Sequence, residues 1–130
     1  MDEKIKNFIN NLAVAGCPDE FEAKRLLAEF EIPTPKGARL LPGEELDKRE
    51  MRFPAVVKVC SAHILHKTDR GGVVMGVEKS EIDKTVSELR RKFPGAPVLV
   101  EEQVHFRGPE MIVGALADPS FGPAVMAGAG

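Results

Sequence analysis

The sequence predicts a single α/β (more narrowly α+β) domain, built as a mixed sheet flanked by helices. Apolar runs at 55–60, 73–77, 98–104 and 110–117 have the length and bounding turns of strands. Segments 2–15, 19–31 and 80–93 repeat their apolar residues at the spacing of one helix face. Glycine and proline mark the joins between the two kinds of segment.

Length and composition set the bounds. The 130 residues suffice for one domain with a core and are too few for two ordinary ones. With 43% hydrophobic and 29% charged residues the chain reads as soluble and globular. Its net charge of -2, with Lys and Arg scattered, predicts no nucleic-acid partner. No apolar run approaches the ~20 residues of a membrane span, and no cationic stretch leads into a hydrophobic one. A membrane or secretory role is therefore not expected, and the cytoplasm is the simplest compartment. Cys17 and Cys60 lie far apart and read as small reduced hydrophobes.

The first helix, over 2–15, presents Ile5, Phe8, Ile9, Leu12 and Ala13 and ends at Gly16 and Pro18. The second, over 19–31, buries Ala23, Leu26, Leu27 and Phe30; Asp19 and Glu20 stand where a helix start favours acidic groups. Ile32-Pro33-Thr34-Pro35 stops it. A short strand over 36–41 and a turn at Pro42-Gly43 lead into a brief helix reaching Met51. After the central strand that Pro54 opens, residues 73–77 hairpin back onto it. Ser80 and Asp83 resemble a capping box for a helix carrying Ile82, Val86, Leu89 and Phe93. The run 98–104 turns polar at Glu101, Glu102 and Gln103. Residues 110–117 are apolar on both alternating sets, which predicts a central strand with Glu110 at its mouth. A tight reversal at 118–123 precedes a last strand over 124–127.

The chemistry concentrates in 53–77. Val57 and Val59 fall on one face of the first strand and Val56 and Cys60 on the other, so both faces are expected to be covered. Lys58 interrupts that strand, and a buried ammonium is costly unless paired, which suggests an anion from outside the chain. Gly71 and Gly72 lack side chains, so their N–H groups can approach a phosphate closely. His66 lies between these features with Lys67 and Arg70 beside it and Asp69 three residues on. Cations there disfavour imidazolium, leave a nucleophilic imidazole and stabilise a phosphorylated dianion, while Asp69 can orient the ring. The polar end of 98–104 suits an adenine ring lying along strand backbone, with a carboxylate near the ribose.

The segment VVKVCSAHILHKTDRGGVVMGV, followed at a distance by PEMIVGALADPSFGPAVMAGAG and preceded by FEAKRLLAEFEIPTP, closely resembles the nucleotide-binding beta subunit or domain of ADP-forming acyl-CoA synthetases. The resemblance runs from about Glu20 to Gly130. It implies an ATP-grasp fold, of which this chain is the N-terminal portion, truncated before the C-terminal metal-binding strands. It also divides the chain into a helical lead-in, 1–35, and a nucleotide-binding part, 36–130.

The implied reaction interconverts acyl-CoA, ADP and phosphate with the free acid, CoA and ATP. A phosphoryl group passes from an acyl phosphate to a histidine on a CoA-binding alpha subunit or domain, then to the ATP-grasp site. By the same resemblance His66 carries phosphoryl here and His63 is a bystander. Lys58 contacts nucleotide phosphate, Gly71 and Gly72 close the loop over it, and Lys67 and Arg70 steady the phosphohistidine. Glu101, Glu102, Gln103 and Val104 form the adenine hinge, and Glu110 lines the ribose side. ATP or ADP is the expected ligand, and the Mg2+ ligands are expected beyond Gly130, so the 130 residues alone are expected to turn over poorly or not at all. Another ATP-grasp carboxylate ligase and a non-catalytic nucleotide-binding or regulatory fragment are the alternatives.

Overall fold

The computed structural model describes residues 3–64 and 67–130. The elements run α1 (Glu3–Ala15), α2 (Glu20–Glu29), β1 (Gly37–Leu40), β2 (Ala55–Val59), β3 (Val73–Val77), α3 (Ile82–Lys92), β4 (Val98–Glu102), β5 (Met111–Asp118) and β6 (Gly122–Ala129). Four strands form one sheet in the order β1-β4-β2-β3. All its pairings are antiparallel, so the mixed sheet expected from the sequence is an antiparallel one among the described residues.

Register assigns each side chain to a face, because residues directly opposite in an antiparallel pair point the same way. Val57 opposes Val100, Val59 opposes Val98, and Leu40 opposes Val98 from the other side. Leu40, Val57, Val98 and Val100, with Ala55 and Val77, pack with Ile82, Val86 and Leu89 of α3 as the hydrophobic core, and Val59 is buried on the same face beside Gly72. Each such side chain contributes roughly 1.5–3 kcal/mol on burial. The opposite face carries Val56 and Lys58 of β2, Leu99 and Glu101 of β4, and Arg39 of β1. Residues of α2 reach this face: Lys24 bonds Glu101, and Arg39 lies over the Phe21 ring, 5.1 Å from its centroid. As expected, β2 is covered on both sides.

Helix α2 starts on a capping box. Asp19 accepts from the Glu22 N–H at 2.9 Å and Glu22 accepts from the Asp19 N–H at 3.1 Å, which satisfies two otherwise orphaned donors. It stops two residues short of the expected end. Glu31 takes a left-handed φ of 57°, and the Ile32 N–H returns to the Leu27 carbonyl just ahead of Pro33.

Three expectations are corrected. The brief helix before Met51 is absent: 41–44 and 47–50 form separate turns, and the Arg90 guanidinium takes the Leu41 and Glu44 carbonyls at 2.9 and 2.7 Å. Tertiary hydrogen bonds have replaced helical ones. The Ser80–Asp83 capping box does not form, since the N-cap of α3 is Glu81 with no side-chain cap bond, and Asp83 pairs with Lys48 at 2.5 Å. Residues 111–118 are not a central strand. They pair with β6 in a separate two-stranded sheet that leaves Met111, Ile112, Val113, Val125 and Met126 exposed. The reversal joining its strands is as expected, with the Asp118 carboxylate accepting from the Ser120 and Phe121 N–H groups.

Candidate functional site

Lys58 projects from β2 onto the face reached by α2, and its charge is met from within the chain. Its Nζ lies 2.7 Å from Glu20 Oε1 and 2.5 Å from Glu101 Oε1. Lys24 spans the same two carboxylates, 2.9 Å from Glu20 Oε1 and 2.5 Å from Glu101 Oε2. Lys67 approaches from the loop after β2, 3.3 Å from Glu20 Oε2. Among the described residues three ammonium groups thus surround two carboxylates, one more positive charge than negative. The sequence argument that Lys58 must await an outside anion is corrected: Glu20 and Glu101 pair with it.

Burial by itself would raise the Glu20 carboxyl, but hydrogen bonds and charges from Lys58 and Lys24 outweigh it and hold the pKa at about 2. Burial likewise disfavours the Lys58 ammonium, and Glu101 with Glu20 overrides that, moving Lys58 above its ordinary value. Cys60, at the end of β2, is a buried free thiol whose pKa burial pushes up, so it is a poor nucleophile.

The glycine pair closes a turn. The Gly71 N–H donates to the Thr68 carbonyl at 2.9 Å and the Gly72 N–H to the Lys67 carbonyl at 2.6 Å. Both donors that the sequence argument offered to a phosphate are therefore engaged inside the loop in this conformation. Gly72 is required by packing, because a Cβ there would strike Val59 Cγ1 and crowd Phe93. Arg70 lies over the Phe93 ring, and Lys92 Nζ reaches the Gly71 carbonyl at 3.4 Å. His63 is exposed, its N–H bonded to Ser61 Oγ. His66, the residue to which the sequence assigns phosphoryl transfer, lies outside the described residues.

The expected adenine hinge is the end of β4 and its exit. Glu101 points into the lysine cluster and is almost fully buried. The Glu102 N–H donates to the Lys36 carbonyl at 2.8 Å and the Gln103 N–H, just past β4, to the Pro54 carbonyl at 3.0 Å, and Val104 beyond them is exposed. Glu110 stands beside the β5–β6 hairpin, its carbonyl accepting from Gly130 N–H, and is exposed. The structure thus gathers Lys58, Lys67 and Glu101, while Glu110 adjoins a different sheet.

Sequence reasoning missed Glu20 and Lys24. Their four-residue spacing at a helix start was visible, but the same pattern marks any solvated helix face. Among the described residues no group of three or more His, Cys, Asp or Glu side chains is arranged to hold a metal ion.

Comparison with known proteins agrees with this fold. The chain is 37% identical over 121 residues to the beta subunit of ADP-forming acetate–CoA ligase I from Pyrococcus furiosus, covering 85% of this chain and 52% of that protein. It therefore spans about half the length of that relative. A solved structure of dinucleotide-forming acetyl-coenzyme A synthetase 1 from Ca. Korarchaeum cryptofilum, in complex with coenzyme A and Ca-AMPCP, superposes with a TM-score of 0.79 at 32% identity, over 96% of this chain and 59% of that one. A Pyrococcus horikoshii protein superposes with a TM-score of 0.80 at 30% identity, over all of this chain and 60% of the other. Residues 15–130 match the family of the ATP-grasp domain, and with the antiparallel sheet, its glycine turn and its lysine-bearing strand they make this chain a member of that family.

Proposed function

We propose that this chain is the front part of the nucleotide site of an ADP-forming acid–CoA ligase, with residues 1–35 a lead-in and 36–130 the nucleotide-binding portion. The observation that carries the reading is the convergence of Lys58, Lys24 and Lys67 on one carboxylate at the mouth of the sheet, an excess of cations suited to a polyphosphate. Family membership and the synthetase names of the similar proteins support it.

In this reading Lys58 and Lys67 engage the phosphates of ADP or ATP as point charges. Glu102, Gln103 and Val104 border the adenine, Glu101 sets the position of Lys58 beneath it, and Glu110 lies toward the ribose. His66 attacks the phosphoryl group delivered from a phosphohistidine of the CoA-binding alpha partner. Its nitrogen forms the new N–P bond as the donor's N–P bond breaks, and Arg70 with Lys67 offsets the dianion. Transfer to ADP then yields ATP and restores the neutral ring. Gly71 and Gly72 let the loop move between an internally bonded turn and one that faces phosphate. Acid and CoA are handled by the partner.

The test is phosphoryl transfer from labelled ATP with Mg2+ present, with and without an alpha partner, alongside His66→Asn. An acid-labile, base-stable label that disappears in the variant is the expected result. Nucleotide binding without any label would overturn the phosphohistidine assignment and favour another ATP-grasp ligase or a binding-only role.

A further inference from the structure

Glu20 occupies an unusual place. One carboxylate at the first residue of α2 accepts from Lys58 at 2.7 Å, Lys24 at 2.9 Å and Lys67 at 3.3 Å. Lys58 comes from β2 and Lys67 from the loop that follows it, the two cations given above to phosphate. Carboxylate and phosphate oxygens are interchangeable acceptors for an ammonium, so these lysines cannot bond fully to both at once.

The attachment of α2 is also of a displaceable kind. No residue of the helix is buried. Its first turn is tied to the sheet by Asp19–Arg39 at 2.5 Å, by Glu22–Arg39 at 3.5 Å, by the lysine–carboxylate cluster and by Arg39 over Phe21. Ionic contacts that are part-exposed contribute little each and weaken with salt or a competing ion, whereas a buried apolar face would not.

We propose that Glu20 is an internal stand-in for phosphate. In the nucleotide-free chain it holds Lys58 and Lys67 gathered and extended, and nucleotide phosphate takes them by displacing its carboxylate, which loosens the first turn of α2. Glu101 keeps its own bonds to Lys58 and Lys24 throughout, so Lys58 is not left as an unpaired charge during the exchange. The lead-in helix therefore reports whether the phosphate site is filled. Glu20 acts through the lysines and is a positioning residue. The inference rests on the assignment of Lys58 and Lys67 to nucleotide phosphate.

The test measures ADP affinity by calorimetry for the chain and for Glu20→Gln, Glu22→Gln and Lys58→Met. Removing a competitor tightens binding, so Glu20→Gln is expected to lower Kd roughly tenfold, about the effect of one charge-assisted bond. Glu22→Gln makes the same charge change on the same helix turn, keeps a capping-box side chain and loses an ion pair to Arg39 while touching none of the three lysines; it is expected to alter Kd by less than about twofold. A purely structural Glu20 would instead give weaker binding when replaced. Amide exchange of residues 20–24 in the unsubstituted chain supplies the second readout and is expected to quicken at saturating ADP. Unchanged or weaker binding in Glu20→Gln, equal gains in both glutamine variants, or slower exchange in α2 overturns the proposal. If Lys58→Met binds ADP as well as the unsubstituted chain, or that chain binds none, the phosphate assignment itself falls and takes the proposal with it.

Discussion

Lys58 Nζ lies 2.5 Å from Glu101 Oε1, two residues set diagonally across the β2–β4 ladder, where Lys58 opposes Leu99 and Glu101 opposes Val56. Because these strands are the two central ones, the pair has sheet on both sides and α2 above it. The position of the ammonium is thereby set by the backbone of β4, and the exit of β4 is the edge along which adenine is expected to lie. One carboxylate links the two halves of the candidate site.

Glu101→Gln is expected to destabilise the chain by about 3 kcal/mol, because it leaves the part-buried ammonium groups of Lys58 and Lys24 to share Glu20 with Lys67. Urea denaturation of the variant measures this. In Lys58→Met/Glu101→Leu the loss is expected to be smaller than the sum of the single losses, since the cost of an unpaired charge is removed with its partner. Additive losses would show that the pair is not coupled.

Acid stability follows from Glu20. Its carboxyl is held at about 2 in the folded chain against 4.5 for the free group. The stabilisation is therefore fully present above pH 4.5 and is lost as pH falls through about 2. For a part-exposed group its size is on the order of 1–2 kcal/mol after solvent screening. Glu20→Gln is expected to flatten the acid limb of a stability–pH curve between those values. Lys58, raised above 10.5, adds stability that is present below 10.5 and is lost as pH rises through its higher folded value.

Gly72→Ala is expected to cost about 1–3 kcal/mol through overpacking against Val59, the Lys67 carbonyl and Phe93. Gly71→Ala is expected to cost about 1 kcal/mol from its φ of 62°, plus displacement of Lys92. Thermal unfolding of both variants separates a packing glycine from a backbone one. A melting temperature unchanged in Gly72→Ala would show that the loop has room to yield.

The β5–β6 hairpin is expected to exchange its amide hydrogens much faster than β2 and β4. Both its faces are exposed, and a two-stranded sheet without a packed face is marginal in water. Hydrogen exchange resolved by residue measures the contrast. Protection over 111–129 equal to that over 55–59 would mean that the hairpin is covered in solution, by another copy or another chain.

Much of the fold was legible because its signals are local. The core side of β2 and β4, the face of α3 and the reversal at Asp118 each follow from spacing or turn chemistry within a few residues. Segment 43–51 misled because its apparent helix competes with Arg90, which reaches it from α3. Residues 111–118 misled because apolar residues on both faces do not identify what covers them.

The candidate site divides in the same way. By itself the sequence determined that a lysine stands in a buried strand, that two glycines and a cluster of cations follow it, and that a polar strand end comes later; these are properties of adjacent residues. Only the tertiary structure decided that Glu20, 38 residues before Lys58, and Glu101, from a later strand, meet that lysine. Both glutamates read in the sequence as acidic residues at a helix start and a strand end, with nothing to pair them with Lys58. A charge finds its partner through space, and packing α2 and β4 against β2 sets that distance.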